Sequence, residues 1–235
     1  MKKGETEAAR EKMEKIADIM GQLGDLPGQA RALQETARLE RMASNFDSAR
    51  QRLERSLELL QLSGDGRGAA FALFNLASLD LERGDFQNAA AEYARALPLF
   101  KEMEDRAEVA AILHSQGLIQ AQAGEKETAM NNFKEALAIN QELGDRAAEA
   151  GSFFQLGALA VQQDRMAEGL RLMALAAVVL RSIKSNEVEN VEPLVERLAS
   201  QLNYSQEQFM VMVQEVLQGY ARDRGRGLVE KASGK

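Results

Sequence analysis

Residues 65–104 read DGRGAAFALF NLASLDLERG DFQNAAAEYA RALPLFKEME, and the row divides at its centre. Over 68–82, Leu73, Leu76, Ala77 and Leu79 recur at helical spacing; over 87–103, Ala89, Ala90, Tyr93, Ala96, Leu97 and Phe100 do the same. Between them Arg83-Gly84-Asp85-Phe86 supplies the punctuation. Gly84 ends the first helix, because glycine enters the left-handed conformation without steric cost, and Asp85 caps the second by accepting one of its free N–H groups. The row is thus two antiparallel helices.

The row repeats along the chain. Asp25, Asp65, Asp105 and Asp145 stand forty residues apart, with Gly24, Gly64 and Gly144 before three of them. Small residues recur at Ala37, Ala77, Gly117 and Gly157, at Ala49, Ala89, Ala129 and Gly169, and at Ser56, Ala96, Ala136 and Ala176. Small side chains at a fixed phase mark points where backbones come close, and a period in this range signals stacked supersecondary units. The organisation expected is a half-repeat at 1–24, four repeats at 25–64, 65–104, 105–144 and 145–184, and a divergent capping pair at 185–222. Residues 223–235 are expected to lack order.

The half-repeat aligns with the second half of a row, Ala9 on Ala49, Met13 on Leu53 and Met20 on Leu60. It reads either as an N-terminal cap or as part of a longer array. In 185–222, Asn190–Leu202 and Ser205–Tyr220 read as helices, and Ser205 with Gln208 forms a capping box. Pro98 is expected to bend its helix or to shorten its hydrogen-bonded ladder near Ala94, whereas Pro27 and Pro193 are expected in first turns, where a missing donor costs little.

Composition closes off several function classes. Ala, Leu, Glu, Arg and Gln dominate, only three prolines are present, and no alternating β-branched run is long enough for a strand, so the fold class is all-α. Zero cysteines remove thiolate chemistry and Cys-type zinc sites and fit a reducing, cytoplasmic setting. No stretch approaches eighteen uncharged apolar residues, which argues against a membrane span. The net charge is −7 and no row is strongly basic, which argues against nucleic acid as the main partner. One histidine, His114, cannot assemble a His-based metal cluster, and the carboxylates are scattered over helix surfaces. No catalytic residue, metal or cofactor is expected. Gly64-Asp65-Gly66-Arg67-Gly68 has neither a preceding strand nor a following Lys-Ser/Thr, so it reads as a turn and not as a phosphate cradle.

Asn75-Leu76-Ala77, then Gly84-Asp85-Phe86, then Ala89, Tyr93 and Ala96 resemble the signature of the tetratricopeptide repeat, and Gly117, Gly124, Ala129, Phe133 and Ala136 repeat it. The unit is forty residues long where the usual one has about thirty-four, similar to the long repeats of kinesin light chains, spindle adaptor proteins and bacterial peptide-binding regulators. The resemblance covers residues 5–184. It implies a right-handed α-α superhelix whose first helices line a concave groove for a peptide or helix of another protein.

On that template the groove positions are Arg31, Phe71, Ala111 and Gly151; Gln34, Phe74, His114 and Phe154; Arg38, Ser78, Leu118 and Ala158; and Arg41, Leu81, Ala121 and Val161, with Asn75 beside them. The family's carboxylate clamp is not reproduced. Asn75 matches one of its Asn positions, but Ser78 and Leu118 replace the other, and Phe71 and Ala111 replace the lysines. Arg31, Arg38 and Arg41 share one side of a helix, while later repeats present Phe71, Phe74, Leu81, Leu118, Phe154 and Val161. The expected groove is cationic at one end and apolar in the middle, suited to a segment with acidic residues beside an apolar stretch. Two other readings stay open: the arginines are solvated and paired with neighbours such as Glu35, and Phe71 and Phe74 pack between first helices. His114 likewise reads as a ligand contact or as a packing residue.

The function this supports is a non-enzymatic scaffold or adaptor for protein–protein interaction. The alternatives are a module for self-assembly, with Phe209, Met210 and Val213 offering an apolar contact, or a regulatory domain of a larger signalling or transcription protein.

Overall fold

The computed structural model describes residues 3–234, which contain twelve helices and no strand. They are α1 (Lys3–Leu23), α2 (Leu26–Met42), α3 (Phe46–Ser63), α4 (Gly66–Arg83), α5 (Phe86–Glu102), α6 (Arg106–Gln122), α7 (Lys126–Leu143), α8 (Arg146–Val161), α9 (Met166–Ser182), α10 (Val188–Gln201), α11 (Gln206–Asp223) and α12 (Arg226–Ala232). The chain divides into two compact units, residues 1–112 and 113–235.

The turns explain the rhythm. A residue with positive φ stands at every twentieth position from 24 to 184: Gly24, Ser44, Gly64, Gly84, Glu104, Gly124, Gly144, Asp164 and Lys184. Each supplies the left-handed residue that lets the chain leave one helix and reverse into the next. The aspartates then act as caps. Asp25, Asp65, Asp85 and Asp145 accept from the backbone N–H of Gly28, Gly68, Asn88 and Ala148 at 2.9, 2.8, 3.2 and 3.0 Å. Asp105 departs from them, its carboxylate taking a hydrogen bond from Arg67 at 2.8 Å.

Where the left-handed position is not glycine, the backbone carries a cost of about 1 kcal/mol. Glu104 holds φ 54° and its side chain is exposed. Glu104→Gly is expected to stabilise the chain by about 0.5–1 kcal/mol, raising Tm by about 2–4 °C. A calorimetric melt checks this, and an unchanged or lower Tm refutes it.

In the first unit α1 packs on α2, α2 on α3, α3 on α4 and α4 on α5, with α2 also meeting α4. In the second, α7 packs on α8, α8 on α9, and α10, α11 and α12 all lie on α9. Close approach is concentrated where the small-residue columns predict. A Cβ on Gly169 would lie 2.7 Å from the carbonyl oxygen of Gly157, and one on Gly117 would lie 2.7 Å from the Phe133 ring.

Pro98 lies inside α5. Two expectations are corrected. Pro193 lies in the second turn of α10, not the first. Residues 226–232 of the segment expected to lack order form α12, because Val229 and Ala232 bury against α8 and α9. Gly225 at φ 83° turns the chain into that helix, beside the Phe153 ring. Ser205 and Gln208 do form the reciprocal capping box.

Candidate partner-binding face

In the first unit the first-helix positions of α2 and α4 come together. Gln34, Arg38, Arg41 and Asn75 line one cleft of about 190 Å³, with Glu35 beside them and Ala37, Leu53 and Leu79 as its floor. The cleft is therefore polar at its rim and apolar at its base. Gln34 Nε2 donates to Ser56 Oγ at 3.1 Å, which fixes that amide.

The arginines differ in their partners. Arg38 pairs with Glu35 at 2.9 Å, and Arg41 reaches Glu82 of the next repeat at 3.5 Å. Arg31 is exposed and has no ion pair among the described residues. The positive charge is thus partly neutralised. Such pairs are exposed and salt-screened, and a competing carboxylate can displace them at a cost of about 1 kcal/mol or less.

The aromatic positions turn inward. Phe71 stands edge-on to Phe100 at 5.0 Å, with the Arg67 guanidinium 5.6 Å above its ring. Phe74 packs against Tyr93 at 5.9 Å and Phe100 at 6.3 Å. Both rest on the second helix of their own repeat. Each stays half-buried, as do Asn75, Ser78 and Leu81. Ser78 Oγ donates to the Phe74 carbonyl at 2.9 Å and lies 3.0 Å from Tyr93 Oη.

In the second unit His114 stands edge-on to Phe133 at 5.2 Å, and burial lowers its pKa below the ordinary histidine value. Its Cε1 would lie 3.8 Å from a Cβ on Gly151, so α6 and α8 approach there. Leu118, Phe154 and Val161 are partly buried against the core of this unit. These four residues present narrow apolar edges where the first unit presents polar groups.

Two buried polar clusters lie away from these positions. Arg10 pairs with the buried Glu40 at 3.1 Å, and Arg50 grips both oxygens of the buried Asp80. The two arginines are forty residues apart, as are the two acids, so a buried ion pair recurs between a second helix and the following first helix. The next two phases read Ala90 with Gln120 and Met130 with Ala160, so neither can form an ion pair. The second cluster surrounds Glu149, which is 0% exposed. It accepts from Tyr220 Oη at 2.9 Å, Gln141 Nε2 at 3.0 Å and Arg224 at 3.2 Å to each oxygen, with Arg146 at 3.3 Å. This cluster binds the end of α11 to α8.

Residues 68–142 match the family model described as tetratricopeptide repeat. Among solved structures the chain is similar to BtubC (BKLC) from P. vanneervenii, 18% identical, covering 86% of this chain and 93% of that one with a TM-score of 0.58. It is similar to the apo form of RapI, 13% identical, covering 93% of this chain and 60% of that one, with a TM-score of 0.72. It is also similar to a Podosopora anserina putative kinesin light chain with nearly identical TPR-like repeats, 13% identical, covering 84% and 98% respectively, with a TM-score of 0.62. At these identities the likeness is one of fold. No curated protein matches the chain.

Proposed function

We propose that this chain, a tetratricopeptide-repeat protein, holds a peptide or helix of a partner protein against the exposed faces of its first helices. The fold is an interaction scaffold, and the reading goes further in placing the contact. The observation that carries it is the cleft between α2 and α4, where Gln34, Arg38, Arg41 and Asn75 surround an apolar floor. An amide pair at the rim fits an extended backbone, which needs donors and acceptors at regular spacing. Arg31 and the displaceable Arg38 and Arg41 favour acidic side chains, and Leu53 and Leu79 give an apolar residue somewhere to rest. In the second unit His114, neutral near pH 7, and Phe154 offer apolar contact in the same phase. A cytoplasmic setting belongs to the same proposal and is supported by the absence of cysteine. No catalytic role is assigned.

The test is a fluorescence-polarisation screen of the full chain against synthetic peptides carrying acidic residues beside an apolar stretch. Asn75→Ala with Arg38→Glu is expected to weaken the best peptide by about tenfold or more, and raised salt to narrow that gap. Equal affinity of the parent and the double variant for every bound peptide would remove the cleft from the reading.

A further inference from the structure

Every second helix in the array buries one stripe against the first helix of its own repeat. The third position of that stripe is Ser56, Ala96, Ala136 and Ala176, each 0% exposed. Helix α1 is a second helix by phase, and α2 covers only one of its sides, where Ala17 is buried and Arg10 reaches Glu40. No first helix precedes it among the described residues. The equivalent third position is Ile16, at 37% exposure, and Ile19 and Leu23 stand beside it at 51% and 73%.

Side-chain size says what fits on this face. In the other repeats this third residue is a serine or alanine with no exposed surface, small enough to let the neighbouring helix approach closely. Isoleucine at position 16 holds a neighbour further away, so a first helix with a small-on-small crossing is a poor match. The stripe instead runs Thr6, Ala9, Met13, Ile16, Met20, Leu23, in alternating steps of three and four residues, which is a heptad seam.

The seam also grades from small at its start to large at its end. An antiparallel copy, on a twofold axis passing between residues 14 and 15, sets Thr6 against the second copy's Leu23, Ala9 against its Met20 and Met13 against its Ile16. Large then meets small in the outer layers. A parallel copy would set Leu23 on Leu23 and Thr6 on Thr6, crowding one end and leaving a gap at the other. The antiparallel register also lays the Lys12 stem along the second copy's Ile19. We propose that α1 is the interface of a twofold dimer, in which two copies of this helix pair antiparallel through the Thr6–Leu23 seam. This interface is separate from the cleft between α2 and α4.

The seam is about 27 Å long at about 1.5 Å per residue, short enough that a dissociation constant of about 1–100 µM is expected. Sedimentation velocity on the full chain from about 1 to 200 µM should show the mass moving from one chain towards two. Ile16→Glu with Leu23→Glu should raise the dissociation constant by about a hundredfold or more, because the charges would be buried unpaired. Its melt at the lowest concentration should match the parent's, since both side chains are exposed in the single chain. Because the chain has no cysteine, a mixture of Thr6→Cys and Leu23→Cys copies should form a disulfide under mild oxidation, whereas Thr6→Cys alone should not. In the antiparallel register two residues 6 lie about 25 Å apart. A chain that stays monomeric throughout overturns the proposal. So does a dimer that survives the double glutamate variant, one abolished by Met210→Glu on α11, or a Thr6→Cys copy that links to itself.

Discussion

Glu149→Ala is expected to cost the second unit about 3 kcal/mol and to release α12 from α8 and α9. The carboxylate is fully buried, accepts hydrogen bonds from Gln141, Tyr220 and Arg224, and forms an ion pair with Arg146. The guanidiniums of Arg146 and Arg224 each lie over the Tyr220 ring at 5.5 Å, and that ring stands edge-on to Phe153 at 6.1 Å. Removing the acid leaves two cations beside one ring with nothing between them. Arg146 and Arg224 are partly exposed and recover some hydration, which holds the cost near the lower end of the usual range for breaking a buried pair, about 3–5 kcal/mol. Arg224→Ala should cost less, about 1 kcal/mol, because Glu149 keeps its other partners. Urea unfolding gives the energies, and hydrogen exchange gives the location. Residues 226–232 should lose protection in Glu149→Ala before the rest of the unit does. An Ala variant with the parent's midpoint and a protected α12 would show that packing of Val229 and Ala232 alone holds this helix.

The helix pairs were legible because their causes are local. A capping aspartate needs only the N–H three residues on, and a left-handed glycine needs only its own φ, so Asp25, Asp65 and Asp145 and the glycines before them announced the rows. The reading weakened where another residue took the turn, as at Asp164. It failed at α12, since Arg222–Gly227 is polar and glycine-rich and the contacts that order residues 226–232 come from α8 and α9, far away in sequence. Leu228, Val229 and Ala232, spaced for one helix face, were the available signal. At the candidate face the columns gave the positions but not the state of their charges. Arg41 is neutralised by Glu82, a residue of the next repeat, and no local pattern links the two. The buried ion pairs were within reach of the column method, because Arg10 and Arg50 share a phase and Glu40 and Asp80 share another; what the columns lacked was which side of each helix faces its neighbour.

Glu92→Gln is expected to remove a loss of stability that the parent shows between about pH 4.5 and pH 7. The Glu92 carboxyl lies in the first unit beside Asp80 and Arg50, and its Oε2 is buried without a hydrogen-bond partner. Burial first, and then the charge of Asp80, push its pKa up to about 7 from the ordinary value of 4.5, with Arg50 opposing them. Below pH 4.5 the group is protonated in both the folded and the unfolded chain. Between the two values the folded chain keeps a proton that the unfolded chain has released, so stability falls as pH rises and levels off above pH 7. The full difference corresponds to about 3 kcal/mol. Glutamine stays neutral, keeps the shape, and its amide can donate to Asp80, so the variant should be the more stable protein at pH 8 and nearly equal to the parent at pH 4.5. Other acids work the other way. The Glu40 pKa lies below its ordinary value, because hydrogen bonds from Asn45 and Arg10 outweigh its burial, and it stabilises the fold as pH rises. The measurement is therefore the difference between parent and variant, taken from urea unfolding at closely spaced pH values. Two curves that run parallel from pH 4.5 to pH 8 would mean that Glu92 ionises as freely folded as unfolded, and that Arg50 compensates both acids equally.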